Sequence, residues 1–299
     1  MIPGLPPKRQ ERSKAPMRLA RYGATGSEQP ALVDAGRTLS LAGVVGDLSG
    51  DVLTERSLAR IRAVDTQGLP LVTGSARLGP PVGAIGKIIG VGLNYRDHAE
   101  ECGLPLPSEP TLFLKATSAL TGPADPLIIP RGAQSVDWEI ELGVVIGSAG
   151  VYIEEASALR HVAGYCVGID FSERDFQFKR GGQGFKGKSA DSFAPLGPWL
   201  VTPDEIPDPH ALTLTLSVND VERQRGNTRD MIFSVPQLIA YVSAFMSLRP
   251  GDGILTGTPA GVGMGRDPQI YLQPGDRVSA TISGLGSQWH EVVAGTRDR

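Results

Sequence analysis

Cysteine, histidine and aromatic residues are all scarce in this chain of 299 residues, which has 2 Cys, 4 His and 6% Phe, Trp and Tyr. Cys102 and Cys166 stand in unrelated contexts, too few for a disulfide framework, and no Cys/His pairing has zinc-site spacing. A reducing cytoplasm is the expected location. The chain also lacks any apolar run near the ~18–20 residues that span a bilayer, and its start lacks the apolar middle of a secretory signal. Neither a membrane span nor export is expected. Charge is balanced, 29 Lys+Arg against 32 Asp+Glu for a net −3, so there is no electrostatic footprint for nucleic acid or an anionic membrane. Partners should be small molecules or protein subunits.

Glycine (38) and proline (24) are plentiful, and 40% of residues are hydrophobic, which fits a turn-rich chain of many short strands around a substantial core. The expected class is α+β and β-dominated. Residues 1–16 mix Pro, Gly and alternating charge without periodicity and read as a disordered leader, with Met17 a candidate start. Residues 17–78 read as a small N-terminal α/β module, with strands at 18–22 and 31–33 and a helical pattern through Leu58, Ile61 and Val64. A Gly/Pro hinge at 79–86 then leads into a larger domain, 85–295. There, strands are expected at 88–93, 138–146, 164–170, 212–218, 253–256, 278–282 and 289–293, with hairpin-type turns at Asn219-Asp220 and Ser283-Gly284. One helix is expected over 235–248, capped by Ser234, with Pro236 in its first turn and Leu238, Ile239, Val242, Phe245 and Met246 on one face.

The most informative stretch is Val136-Asp137-Trp138-Glu139-Ile140-Glu141-Leu142. Side chains alternate along a strand, so its three acids share a face while Ile140 and Leu142 face packing. Carboxylates this close repel one another unless a cation or donors compensate. The segment is therefore either half of a metal site or an edge strand with a solvated acidic face. Asp170 ends an apolar strand where the chain leaves the sheet, placing it either as a third ligand or as a turn residue. Three carboxylates would suit Mg²⁺ or Mn²⁺.

Gly182 to Ser189 fits the P-loop pattern G-x-x-x-x-G-K-[ST] letter for letter. The context refutes it, because a polar segment precedes and Pro195 and Pro198 follow, where a P-loop needs a buried strand and then a helix. The run reads instead as a loop that either carries Lys186 and Lys188 toward an anionic site or is simply exposed. Asn94 is placed to cap a short helix in which His98 and Glu101, three apart, share a face. They form either a general-base dyad or a surface contact, on a loop whose Pro105, Pro107 and Pro110 suit a lid. Arg174 and Gln177 would align with Asp170 if the stretch were helical. The loop Thr256-Gly257-Thr258-Pro259-Ala260-Gly261 offers amides and hydroxyls to an anion, or is an ordinary turn.

In order, G-x-N-Y-x-x-H-x-x-E, F-L-K at Phe113 to Lys115, E-x-E-L-G-V-V, I-D-F-S-x-R-D-x-Q, G-K-S and L-T-G-T-P-x-G-V-G resemble the fumarylacetoacetate hydrolase superfamily, over about Gly86 to Val293. The length and short amino-terminal module look like the bacterial single-chain members that act on small 2-oxo acids. The resemblance implies a mixed β-sandwich roll for a catalytic domain at 85–295, and a homodimer. It implies Glu139, Glu141 and Asp170 as ligands of Mg²⁺ or Mn²⁺, His98 and Glu101 as the dyad, and Lys188 beside the metal. Arg174, Gln177, Thr258 and Lys115 would contact substrate, and Asp137 is left behind the ligands or facing solvent. The implied activity is hydrolysis of a carbon–carbon bond in a small 2,4-dioxo acid, an acylpyruvate or a 2,4-diketo-3-deoxy sugar acid, giving pyruvate and a carboxylic acid. Oxaloacetate decarboxylation, or isomerisation of the 2-hydroxyhepta-2,4-diene-1,7-dioate type, is the alternative with the same metal-enolate chemistry.

Overall fold

Ile140–Ile146 and Val162–Ile169 are buried at every position, the pattern of strands covered on both faces. They pair antiparallel, Ile140 opposite Ile169, near the middle of an eleven-stranded mixed sheet. The computed structural model describes residues 17–295; the expected leader, 1–16, lies outside the described residues. On one side of this central pair lies Gly253–Leu255, antiparallel to Ile140–Ile146 and parallel to Ile88–Val91. On the other lies Ala194–Val201.

A second sheet of five strands contains Thr213–Val218, Val221–Asn227, Arg277–Ile282, Gly286–Ala294 and Leu127–Ile129. Arg277–Ile282 alternates exposed and buried positions, as expected of an antiparallel strand with one solvated face. The inner face meets the large sheet, where Gln288 Nε2 donates to the Val167 carbonyl at 2.6 Å and the Phe171 ring meets His290 edge-on at 5.8 Å. The class is thus α+β and β-dominated. Asn219 and Asp220 form the expected hairpin turn, with φ of +52° and +63°.

The N-terminal strands Arg18–Tyr22, Gln29–Asp34 and Arg37–Ser40 join the large sheet itself, because Arg18–Tyr22 pairs with Ala194–Val201. Glu55–Arg62 is the expected helix there and buries Leu58 and Ile61; Val64 lies past its end. Ser234 caps Val235–Phe245 in a capping box with Gln237. That helix stops before 248, and Phe245 is exposed while Leu238, Ile239 and Val242 are buried.

The acidic strand differs from its expected form. It is broken at Trp138 and Glu139 into Val136–Asp137, which pairs with Ser172–Glu173 as a separate two-stranded ribbon, and Ile140–Ile146. Asp137, Glu139 and Glu141 are all buried, which removes the solvated-edge alternative.

Candidate active site

The strand register gathers three carboxylates. Glu141 stands opposite Gly168, and Asp170, just beyond Ile169, donates its backbone N–H to the Glu139 carbonyl at 2.9 Å. Glu139, Glu141 and Asp170 are no more than 6% exposed, and each brings one oxygen within 4.8 Å of the others. Cations surround two of them. Lys188 Nζ lies 2.7 Å from Glu139 Oε2 and 2.6 Å from Asp170 Oδ2, and Arg174 Nη2 lies 2.6 Å from Glu139 Oε1. Lys115 Nζ bonds Asp170 Oδ1 from behind and the Phe171 carbonyl at 3.2 Å. Glu141 Oε2 instead accepts the Gly257 N–H at 2.6 Å. Gly257 is needed there: its φ is +95°, and a Cβ would stand 2.7 Å from Asn94 Cβ.

The carboxylates respond in opposite directions. Burial pushes Glu139 up, but Arg174 and Lys188 outweigh it and hold this carboxyl far below the usual range. Burial pushes Glu141 well above its ordinary value, and the charges of Asp170 and Glu139 add to that. A divalent cation among these oxygens would offset that repulsion. With three carboxylates and neither thiolate nor imidazole in the cluster, the donor set suits a hard ion such as Mg²⁺ or Mn²⁺.

Arg96–Glu101 forms the short helix of the dyad, and His98 Nδ1 meets Glu101 Oε2 at 2.9 Å. Glu101 Oε1 also accepts the Gly261 N–H at 2.8 Å, tying this helix to the Gly-rich loop. Burial lowers the His98 pKa, but the bonds to Cys102 and Glu101 and the charge of Glu139 outweigh it and raise the imidazole to about 10. Asn94 is not the helix cap; Tyr95 occupies that position. The Asn94 side chain instead bonds both backbone groups of Phe233 and the Thr256 carbonyl.

Arg174–Phe178 is helical and Arg174 Nη1 donates to Gln177 Oε1 at 3.1 Å, but Asp170 precedes this helix and reaches the cluster from its strand end. Phe185–Lys188 makes one helical turn with no strand leading into it, which agrees with rejecting a P-loop. Of its two lysines only Lys188 enters the cluster; Lys186 Nζ donates to the Arg180 carbonyl at 2.7 Å.

A cavity of about 360 Å³ opens on the cluster, lined by His98, Glu139, Glu141, Arg174, Gln177, Lys188 and Thr258 among others. Lys115, expected to touch substrate, is outside that lining because it is spent on Asp170. Thr258 is in the lining, but its hydroxyl donates to the Ile140 carbonyl at 2.8 Å and accepts from Gln224 Nε2 at 2.8 Å.

Of the two places expected for Asp137, the structure gives the one behind the ligands: it is buried and accepts hydrogen bonds from Arg174 Nε at 2.9 Å and from the N–H groups of Gly263 and Met264. Two further contributors had no readable role in the sequence. Gln224, in a polar-looking strand, is 1% exposed and bonds Ile140, Thr258 and Pro259. Cys102, four residues after His98, lines the cavity with its Sγ 3.8 Å from His98 Nδ1. Helical spacing from His98 could have signalled Cys102; nothing local signals Gln224.

The family described as fumarylacetoacetate (FAA) hydrolase C-terminal matches residues 87–293. A Burkholderia multivorans protein with a provisional hydrolase name is 55% identical over 274 residues, 91% of this chain and 97% of its own. The solved fumarylacetoacetate hydrolase of Exiguobacterium antarcticum is 35% identical with a TM-score of 0.84, over 93% of this chain and 100% of that one. Maleylpyruvate hydrolase from Sphingobium sp. SYK-6, solved with manganese(II) and pyruvate, is 32% identical with a TM-score of 0.75, over 94% and 100%. The chain belongs to the fumarylacetoacetate hydrolase family.

Proposed function

We propose that this chain is a divalent-metal-dependent hydrolase that cleaves a carbon–carbon bond in a 2,4-dioxo acid to give pyruvate and a carboxylic acid. The observation that carries this reading is the shared cavity, where Glu139 and Glu141 face the same space as His98 and Lys188. The manganese and pyruvate named for the Sphingobium relative fit such a cavity. Held by Glu139, Glu141 and Asp170, Mg²⁺ or Mn²⁺ would supply Lewis acidity toward the substrate's carboxylate and 2-oxo oxygens. His98, oriented by Glu101, takes a proton from water as the water oxygen bonds to carbon 4. The bonds to Cys102 and Glu101 do most to keep His98 protonated and the charge of Glu139 adds to them, so neutralising that charge shifts the imidazole toward its base form. The bond between carbons 3 and 4 then breaks, its electron pair passes to the pyruvyl fragment, and Lys188, with N–H groups already on Glu139 and Asp170, offers its third to the developing oxyanion. The proton taken from water is available to carbon 3, giving pyruvate. The same reading has a homodimer working on a small 2-oxo acid in the cytoplasm, with neither nucleic acid nor membrane as partner.

The test is turnover of 2,4-dioxo acids in ¹⁸O-water. Hydrolysis places one ¹⁸O in the released carboxylic acid, and a chelator stops it. Full activity in metal-free protein, or oxaloacetate decarboxylation or isomerisation as the sole activity, would overturn the proposal.

A further inference from the structure

We infer that the substrate group beyond carbon 4 is a short apolar chain rather than a second carboxylate or a polyol; this rests on the 2-oxo acid reading above. The cavity's chemistry is one-sided. Every cationic side chain in its lining is already engaged at the acidic end: Lys188 with Glu139 and Asp170, Arg174 with Glu139 and Asp137, His98 with Glu101. The rest of the wall includes the large apolar side chains of Leu93, Leu104, Phe113, Phe178 and Met264, with neutral polar groups from Thr111, Gln177, Cys102 and Thr258. Basic residues on the neighbouring segment have partners of their own: Lys179 pairs with Asp175, Arg180 stacks 4.5 Å from the Phe176 ring centroid, and Lys186 donates to the Arg180 carbonyl.

The apolar wall begins beside the cationic end. Phe113 lies with its ring centroid 4.9 Å from Lys188 Nζ, and its ring occupies the space that a Cβ on Gly90 would take. At the other extreme Leu104 and Phe178 are 54% and 57% exposed although both line the cavity. They are large apolar side chains left uncovered at the mouth, surface that an alkyl or acyl chain would remove from water. A terminal carboxylate in the same position would lose hydration with no free cation among the described lining residues to meet it, and a polyol would find few partners there beyond Thr111 and Gln177. Each buried methylene is worth roughly a fourfold gain in affinity.

Calorimetry on Mn²⁺-loaded protein with pyruvate, 2-oxohexanoate and 2-oxoadipate tests this, because the last two share head group and length and differ in a terminal methyl or carboxylate. The expected result is 2-oxohexanoate binding at least about tenfold tighter than pyruvate, with 2-oxoadipate no tighter than pyruvate. In Leu104→Arg, or in Phe178→Arg should the first variant misfold, the preference should move toward 2-oxoadipate by about tenfold. Wild-type protein that binds 2-oxoadipate as tightly as 2-oxohexanoate, or tighter, overturns the inference and leaves the 2-oxo acid reading standing. Failure of pyruvate itself to bind Mn²⁺-loaded protein overturns both.

Discussion

Asp137 aims Arg174 at Glu139. Asp137 Oδ2 accepts Arg174 Nε at 2.9 Å and lies 2.8 Å from Nη2, the nitrogen that is itself 2.6 Å from Glu139 Oε1. Burial alone would lower the Arg174 pKa, yet Glu139 and Asp137 outweigh it and hold the group charged. Asp137 also takes the Gly263 N–H at 2.6 Å, so the Gly-rich loop and the arginine share one anchor. Breaking a buried ion pair by removing one partner typically costs about 3–5 kcal/mol, and here the remaining pairing of Arg174 with Glu139 offsets part of it. Asp137→Ala should therefore lower the urea midpoint sharply, and Asp137→Asn, which keeps an acceptor, should lower it less. A wild-type midpoint in the alanine variant would show that Asp137 holds nothing.

Glu141 is the carboxylate whose surroundings oppose its charge. Burial and the negative charges of Asp170 and Glu139 all push its pKa up. An acid whose folded pKa is raised costs stability above its unfolded pKa, so Glu141 weakens the metal-free fold near neutral pH. Glu141→Gln should thus leave the metal-free protein at least as stable as wild type while weakening Mn²⁺ binding by about 100-fold or more. Thermal melts without metal and Mn²⁺ titration calorimetry measure the two effects. Tight Mn²⁺ binding by the variant would remove Glu141 from the proposed ligand set.

His98 carries the opposite sign. Its folded pKa, raised to about 10, lies above the ~6.5 of an unfolded histidine. The stability it contributes is complete below about 6.5 and is lost as pH rises toward 10. Glu101→Gln replaces the charged acceptor 2.9 Å from Nδ1 with a neutral one and should move the imidazole titration down, which nitrogen shifts of the ring would report. His98→Asn should lower kcat by about 10²–10⁴-fold and leave the Mn²⁺ affinity near wild type. Loss of metal binding in that variant would point to a ligand or folding role instead.

The ends of strands were more legible than the ways they meet. Alternation exposed Glu139 and Glu141, and an apolar run ending in a carboxylate exposed Asp170. The role of Asp137 was hidden because the chain leaves the sheet between Asp137 and Ile140, and a two-residue break has no periodic signature. Ala194–Val201 was missed because Pro195 and Pro198 read as breakers, although the strand finds partners on both sides. That strand is also what receives Arg18–Tyr22, so the joining of the N-terminal strands to the large sheet rests on a pairing of residues more than 180 apart. No local pattern encodes such a register.

Gln224 presents the same difficulty at single-residue scale. Val221–Asn227 is at least partly exposed along most of its length, yet Gln224 turns inward. Its Oε1 accepts the Ile140 N–H at 3.0 Å, and its Nε2 donates to Thr258 Oγ1 and the Pro259 carbonyl, each at 2.8 Å. Ile140 lies between Glu139 and Glu141, so this amide fixes the backbone that spaces two proposed ligands and ties it to the Gly-rich loop. Gln224→Leu would strand a buried N–H and a carbonyl at about 1–3 kcal/mol each. Both the urea midpoint and the Mn²⁺ affinity should fall, and Gln224→Glu, which sets a carboxylate oxygen against the Pro259 carbonyl, should fare no better. A fall in stability with unchanged Mn²⁺ affinity would make Gln224 a packing residue alone, because a group that spaces Glu139 and Glu141 cannot be lost without the ion sensing it.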